Sequence, residues 1–524
     1  MTRSELPRPS TSLTEEQAFS HAATLHQAGQ LEDADRIYRA ILNVHPENAQ
    51  AHNNLGFILG QLGKFDDAIN SYLRALNINP SFHLAARNLC AILIERGRYT
   101  EIRSIFTGLG KLEDAISICR STIETCARLP GVYRNIGAAL QDLGQFDDAI
   151  ESYRRALDID PDYVEAHYNL ANVLKDVGQI EGALISYRRA LNIDPDFRRA
   201  TWNLGIALLG LGRYDEGWKC NEIRFSLTDA DKVAVPDLPF QSWYGEPLIG
   251  RSIVIIEEQG IGDDIQFCRY ASTLKQMGAA RVSLVCKNRL RPLFSRMKGI
   301  DAVFERGDIS TVPQHDFWSF AQSLPLHCGT TVETAPADVP YLFADAALTE
   351  RIASEFGRST DLKIGICWKG SAAYPGDAAR SPGLGFFKPI FSIDGVRIFT
   401  LLPNSRAELI GSAGDKAVDI GHEVDELTAP FEETAALIMN LDLVITSDTS
   451  ICHLAGALGK PVWLVLPYAA HWVWMTDRED SPWYPNTRLF RQTERGNWAG
   501  VFERVAQKLR AVLAGEMPLV WPVK

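Results

Sequence analysis

Two stretches of this 524-residue chain carry polar side chains at spacings that could do chemistry. The first is Gly260-Ile261-Gly262-Asp263, which follows the apolar run Ser252 to Ile256 after the loop Glu257-Glu258-Gln259. Glycines let a backbone approach a ligand, and a helix opening there favours an anion. A carboxylate at the carboxyl end of a buried strand can serve as a general base, which makes Asp263 a candidate; an N-cap is the other role its position permits. The second stretch runs from Thr446 to Pro461. An apolar strand ends in Ser447-Asp448-Thr449, a small-residue helix follows from Ser450, and Gly459-Lys460-Pro461 leads into another apolar run. Hydroxyls and free N–H groups converging on such a turn suit a diphosphate. His453 falls one turn into that helix, on the side of Thr449.

Other residues are weaker candidates. Trp472, Trp474 and Trp483 crowd a Pro-broken segment; they could wall a ligand pocket, or plug a gap between domains. Arg478 beside them could meet a phosphate. No Asp-x-Asp pair occurs between 251 and 524, and His315, His327 and His422 form no ligand spacing. A metal-free chemistry is therefore expected, with those histidines structural.

These side chains need a scaffold, and from Arg251 onward short apolar runs alternate with amphipathic segments, the pattern of parallel strands crossed by helices. Strands are expected at 252–256, 282–286, 302–304, 363–368, 396–402, 443–446 and 462–466. Helices are expected at about 264–277 and 501–514. Two sets of strand–helix units imply an α/β region of two Rossmann-like lobes with a cleft between them.

The first half is a repeat. Gly29, Gly63 and Gly97, then Gly144, Gly178 and Gly212, are 34 residues apart within each group, as are Pro46 and Pro80, and Pro161 and Pro195. Ala34, Ala68, Ala149 and Ala183 follow five residues after four of the glycines, and Tyr38, Tyr72, Tyr153 and Tyr187 four residues later. Glycine closes one helix, alanine admits close approach of the next, and the aromatic fills the adjoining gap. This resembles the tetratricopeptide repeat, a helix-turn-helix unit that must stack on its neighbours. Six units fit between about 15 and 229. The third repeats its turn signature at Gly110, which implies a 13-residue insertion expected to kink or widen the stack. Asn54, Asn88, Asn135, Asn169 and Asn203 recur on the first helix of successive units. They form either an amide ladder for an extended peptide or a packing feature.

The string 446–461 resembles the nucleotide-sugar site of bacterial heptosyltransferase-type enzymes of the GT-B fold, and Gly262-Asp263 resembles that family's N-lobe Gly-Asp. The resemblance implies Asp263 as catalytic base, with Gly262 beside it. It implies donor contacts from Gly262, Asp448, Thr449, Ser450 and His453. It also implies a phosphate-side loop holding Lys369, Ser371 and Arg380. The whole layout is similar to protein O-linked N-acetylglucosamine transferases and to bacterial flagellin glycosyltransferases, whose solenoids hold a protein acceptor. The wording around the donor site departs from the eukaryotic transferases, so their sugar does not carry over.

Composition is compatible with this reading: 46% hydrophobic and 23% charged residues, as in globular chains. A net charge of −12 argues against a broad nucleic-acid face. Nine scattered cysteines without a Cys-x-x-Cys pair suggest reduced thiols. With no apolar signal or spanning run, a cytoplasmic protein is expected. The expected layout is a flexible N-terminus (1–14), repeats (15–229), a linker (230–250), an N-lobe (251–345) and a C-lobe (346–524). The expected function is inverting, metal-independent transfer of a sugar from a nucleotide donor to a protein Ser/Thr hydroxyl, without a cofactor. The alternatives are transfer to a glycan or lipid-linked sugar, and a non-catalytic repeat scaffold.

Overall fold

The computed structural model describes residues 14–110, 112–125, 130–227, 235–258, 260–357, 359–371, 376–418 and 431–520. The expected flexible N-terminus, apart from Thr14, and His422 lie outside them. The chain divides into two compact units, Met1–Asp196 and Phe197–Lys524.

The first unit is a helical stack from Glu15–Gln27 to Ile180–Ile193. Its glycines do what their spacing requires. Gly29, Gly63, Gly97, Gly110, Gly144 and Gly178 all sit just past a helix end with φ between +66° and +81°, a conformation costly for any residue with a Cβ. Ala34, Ala68, Ala149 and Ala183 are fully buried. A Cβ on Gly56 would stand 2.8 Å from the Tyr72 ring, and one on Gly137 2.7 Å from Tyr153, so small residue and aromatic interlock between the two helices of a unit. The third unit's extra residues form a helix of their own. Tyr99–Gly108 lies between His83–Glu95 and Leu112–Thr125, packs on the latter and on Pro130–Asp142, and buries Ile102 and Phe106.

The second unit begins with the helices Arg198–Gly210 and Tyr214–Asn221, which carry the last repeat signature, and continues into two sheets. The first sheet contains β1 (Gln241–Ser242), β2 (Ser252–Ile256), β3 (Arg281–Cys286), β4 (Ala302–Glu305) and β5 (Phe317–Phe320), in the order β1-β5-β2-β3-β4. The second contains β6 (Leu362–Cys367), β7 (Val396–Thr400), β8 (Leu443–Ser447), β9 (Val462–Leu466) and β10 (Thr487–Arg491), in the order β10-β9-β8-β6-β7. All the strand pairs within these sheets are parallel. This is an α-solenoid followed by an α/β region of two Rossmann-like lobes.

In each sheet the chain steps outward from the first long strand and then returns to its other side. The reversals fall between β2 and β5 and between β6 and β8, and crevices at such points, outside the carboxyl ends of strands, are where open α/β sheets bind ligands.

Three local expectations differ from what is found. The helix after Gly260 is not one rod from 264 to 277 but Ile261–Phe267 and Tyr270–Gln276. At the join, bonds such as Ala271 N to Cys268 O tighten to the three-residue spacing. The described part of the expected linker holds β1, which pairs with β5, and buries Trp243 and Leu248 in the core. Finally, β5 and β10 complete the two sheets at positions where no strand was expected.

Candidate active site

The carboxyl end of β2 runs into the helix Ile261–Phe267, whose first turn carries Asp263 and Asp264. These neighbours face different surroundings. Asp264 is buried; its Oδ2 accepts from Lys287 Nζ at 2.7 Å, and it abuts Glu257, also buried. Burial, with the Glu257 carboxyl beside it, holds the Asp264 carboxyl well above the usual carboxylate range. Asp263 is half-buried, and its Oδ2 accepts from Gly260 N at 3.2 Å. Burial raises its pKa too; His471 opposes that rise, while Asp264 and Asp448 reinforce it. Asp263 therefore senses groups of the second lobe.

In that lobe β8 ends in Ser447, and Asp448 and Thr449 lead into the helix Ser450–Ala457. The Thr449 hydroxyl caps this helix by accepting from Ile451 N at 3.4 Å. Asp448, Thr449 and His453 are each more than nine-tenths buried. The two helices meet across the lobes. A Cβ on Gly262 would lie 2.9 Å from His453 Cδ2, 3.4 Å from Nε2 and 3.7 Å from Ser450 Cα. The glycine of the Gly-Asp turn is thus required for the lobes to approach, and Gly262, Asp263, Asp448, Ser450 and His453 form one cluster.

His453 is held on several sides. Its ring lies 5.3 Å from that of Trp474, and Nδ1 is 3.0 Å from Tyr484 Oη. Burial, with His471, Arg269 and Arg380 nearby, pushes its pKa down to about 3, so the imidazole is neutral at ordinary pH.

The loop after β6 is built around Asp377, a residue the sequence reading did not single out. Its carboxylate accepts from Gly370 N at 3.3 Å, Ser381 Oγ at 2.9 Å and Arg380 Nε at 3.1 Å. There is no space for a side chain at Gly370, where Asp377 and Arg380 crowd the backbone. Arg380 also acts electrostatically on His453. Lys369 and Ser371 are exposed, and Lys369 Nζ lies 3.6 Å from Glu408. Two basic residues were missed. His471 acts electrostatically on both Asp263 and His453. Arg491 from β10 donates to the Trp474 and Met475 carbonyls and senses Asp448. Neither lies in a motif, and β10 itself was unforeseen. Arg478 forms a two-bond pair with Asp480, at 2.9 and 2.8 Å.

The tryptophan segment is packed within the second unit, with Trp474 against His453. Trp472, Trp474 and Trp483 are buried. Trp472 and Trp483 pack on Tyr214, and Trp472 also packs on Trp218; both partners come from the helix Tyr214–Asn221. Trp483 Nε1 donates to Tyr214 Oη at 3.0 Å.

The asparagines all lie half-buried on their helices. Asn54 Nδ2 donates to Tyr38 Oη at 3.1 Å, Asn88 Nδ2 to Asn53 Oδ1 at 3.1 Å, and Asn135 Nδ2 to the Ile94 carbonyl at 2.9 Å. These three amides therefore also join neighbouring helices. Asn169 and Asn203 lie on Val164–Asp176 and Arg198–Gly210.

Among the described residues, one trio has ligand atoms close enough together for a metal ion: Asp448, Cys452 and His453, within 4.8 Å of one another. The Cys452 thiol is spent on the Thr449 carbonyl at 2.8 Å, and burial holds it far from ionising. This donor set does not fit a thiolate-bound metal as it stands. Cys268, Cys286, Cys328, Cys367 and Cys452 are free thiols. His315 bonds Ser283 and the Pro313 carbonyl, as expected of a structural residue. No helix among the described residues is long and apolar enough to cross a membrane.

Comparison with known proteins agrees with this division. Residues 49–82 match the family described as tetratricopeptide repeat, and residues 137–178 and 171–212 that described as TPR repeat. Residues 428–495, which contain the Asp448–His453 turn, match glycosyltransferase family 9 (heptosyltransferase). Protein FlbA of Caulobacter vibrioides is 29% identical over 322 residues, covering 58% of this chain and 53% of FlbA; the chain thus spans about half the length of that relative. Two solved structures are similar to parts of the chain. YrrB, titled a TPR protein with an unusual peptide-binding site, is 17% identical with a TM-score of 0.25, covering 36% of this chain and 91% of YrrB. MamA from Desulfovibrio magneticus RS-1 is 16% identical with a TM-score of 0.23, covering 35% of this chain and 96% of its own. The chain thus matches tetratricopeptide-repeat models in its first half and the glycosyltransferase family 9 model over residues 428–495.

Proposed function

We propose that this protein transfers a sugar from a nucleotide donor to a hydroxyl of a protein acceptor held by the repeats. The observation that carries the reading is the approach of the Asp263 turn in one lobe to the Ser450–His453 turn in the other, through Gly262. The β6–β8 crevice would take the nucleotide, with Asp448, Thr449, Ser450 and His453 on one side and the Asp377-braced loop on the other. Arg380, with Lys369 and Ser371 beside it, would meet the charge developing on the departing diphosphate. Asp263 would take the acceptor proton as the oxygen attacks the anomeric carbon. A single displacement without an enzyme-bound sugar inverts configuration. The amides at Asn54, Asn88, Asn135, Asn169 and Asn203 would contact the acceptor backbone, and neither a metal nor a cofactor is needed.

The family 9 description favours a second reading, in which the acceptor is a glycan. Calorimetry of the full chain against UDP, GDP, ADP, TDP and CMP compounds tests the donor half. Failure of all of them to bind overturns the proposal. Mass analysis of proteins co-expressed with the chain, against an Asp263→Asn control, tests the acceptor half. A sugar-sized mass on Ser or Thr supports the first reading, and transfer to a glycan alone supports the second.

A further inference from the structure

Behind His453 runs a chain of hydrogen bonds whose direction can be worked out from its far end. Arg269 is buried and can only donate. Its guanidinium gives bonds to the carbonyls of Gln266, Pro336 and Trp483, and to Tyr341 Oη at 2.8 Å. Tyr341 Oη lies 2.9 Å from the Ile265 carbonyl, which can only accept, so the Tyr341 proton points there. The next contact, Tyr341 Oη to Tyr484 Oη at 3.3 Å, must then use the Tyr484 proton. What remains on Tyr484 is a lone pair, and it faces His453 Nδ1 at 3.0 Å. Burial raises both phenols, so neither gives up its proton at ordinary pH.

The ring that delivers this lone pair is tightly seated. A Cβ on Gly456 would stand 2.5 Å from Tyr484 Cδ1, so only glycine lets the ring lie against the His453 helix. The Arg269 guanidinium caps the other part of the seat, 4.4 Å from the Tyr484 ring centre and 4.5 Å from that of Tyr341.

We propose that Tyr484 is a positioning residue that holds His453 in the Nδ1–H tautomer, so that His453 offers an Nε2 lone pair to a hydroxyl of the sugar nucleotide rather than a charge to its phosphates. The ligand half of this inference rests on the donor site proposed above; the tautomer half does not. The Nε2 edge faces Gly262 and the Asp263 turn, so the hydroxyl it accepts from belongs near the reacting carbon. Phosphate neutralisation then falls to Arg380.

The test is long-range ¹⁵N–¹H correlation on the full chain labelled with [¹⁵N]histidine, with His453 among 11 histidines identified by its loss in His453→Gln. The expected spectrum has Nδ1 protonated and Nε2 bare from pH 6 to 8, and Tyr484→Phe shifts that pattern toward Nε2–H. A wild-type Nε2–H or imidazolium pattern, or a Tyr484→Phe spectrum identical to wild type, overturns the proposal. If Tyr484→Phe does not fold, the wild-type pattern alone decides. Donor affinity by calorimetry should fall about tenfold in Tyr484→Phe, the scale of one hydrogen bond. Unchanged affinity in a variant that has switched tautomer overturns the hydroxyl contact. Because the spectrum needs no substrate, failure of every nucleotide to bind would strike the donor site and leave the tautomer standing.

Discussion

Replacing Asp263 by Asn tests the proposed chemistry most directly. The amide is nearly isosteric, and its oxygen can still accept from Gly260 N, which the carboxylate meets at 3.2 Å, so the turn should keep its shape. What disappears is the proton acceptor. General-base assistance is worth about 10²–10⁴ in rate, or about 2.7–5.4 kcal/mol at about 1.36 kcal/mol per tenfold step. Donor affinity should stay within about threefold, because most of the donor groups belong to the other lobe. Stability gives an independent sign. The Asp263 pKa is raised in the folded protein, chiefly by burial and also by Asp264 and Asp448. Its favourable contribution is therefore full below the unfolded pKa and lost as pH rises through the folded one. Where the carboxylate is ionised it is a liability, and Asp263→Asn should melt no lower than wild type. By the same sign, the acid limb of kcat/KM should lie above the ordinary Asp range. The neighbouring Asp264→Asn is the comparator: its side chain is engaged with Lys287, so it should keep turnover within about tenfold. Steady-state rates with a sugar nucleotide, calorimetry and thermal melts supply the readouts. A fall in turnover below about tenfold, or a loss no larger than in Asp264→Asn, refutes Asp263 as the base.

Three further outcomes are expected. Gly262→Ala would put a methyl 2.9 Å from a His453 ring held by Tyr484 and Trp474, so the lobes must part by a fraction of an ångström to about 1 Å; kcat should fall about 10²-fold while the melting temperature moves little. A chain beginning at Phe197 should fold and bind donor, whereas one beginning at 230 should not fold, as circular dichroism and melting would reveal. It would lack Tyr214 and Trp218, and each such large buried side chain is worth about 3–5 kcal/mol against a total of about 5–15. Exhaustive chelation should leave turnover within about twofold; a larger loss, restored by a divalent cation, would return attention to the Asp448–Cys452–His453 trio.

What the sequence made legible follows from how locally each feature is encoded. The 34-residue spacing of Gly29, Gly63 and Gly97 could be read because a left-handed helix end has one ready solution, and Tyr72 and Tyr153 because they pack on the preceding helix of their own unit. Strands β2 and β9 announced themselves as continuous apolar runs, as doubly covered parallel strands do. β10 did not: Thr487-Arg488-Leu489-Phe490-Arg491 lies at the sheet edge and carries two arginines. Asp263, Asp448 and His453 sat in strand–turn–helix strings and could be nominated singly. That they share one cluster depends on Gly262 meeting His453 across the lobes, a contact between residues about 190 positions apart. His471, Arg491 and Asp377 act through partners that no local pattern reveals.

The last repeat illustrates the same point in reverse. By spacing, Gly212 closes a repeat like the others; by packing, the helix that follows it belongs to the α/β unit. Trp218 Nε1 donates to the Thr330 carbonyl, and Arg224 is buried against Glu258 and Ser323, beyond the carboxyl ends of β2 and β5. Glu258 in turn accepts from Gln322 N, so the final repeat reaches both strands of the first crevice. The same helix pair also holds the tryptophan segment: Thr476 N donates to the Gly210 carbonyl, and Tyr214 accepts from Trp483. That segment carries His471, which acts on Asp263, and Trp474, which lies against His453. A shift of the last repeat would therefore move the surroundings of Asp263 and of the His453 imidazole together. The cut that leaves these supports in place therefore falls before Phe197 rather than after the last repeat motif.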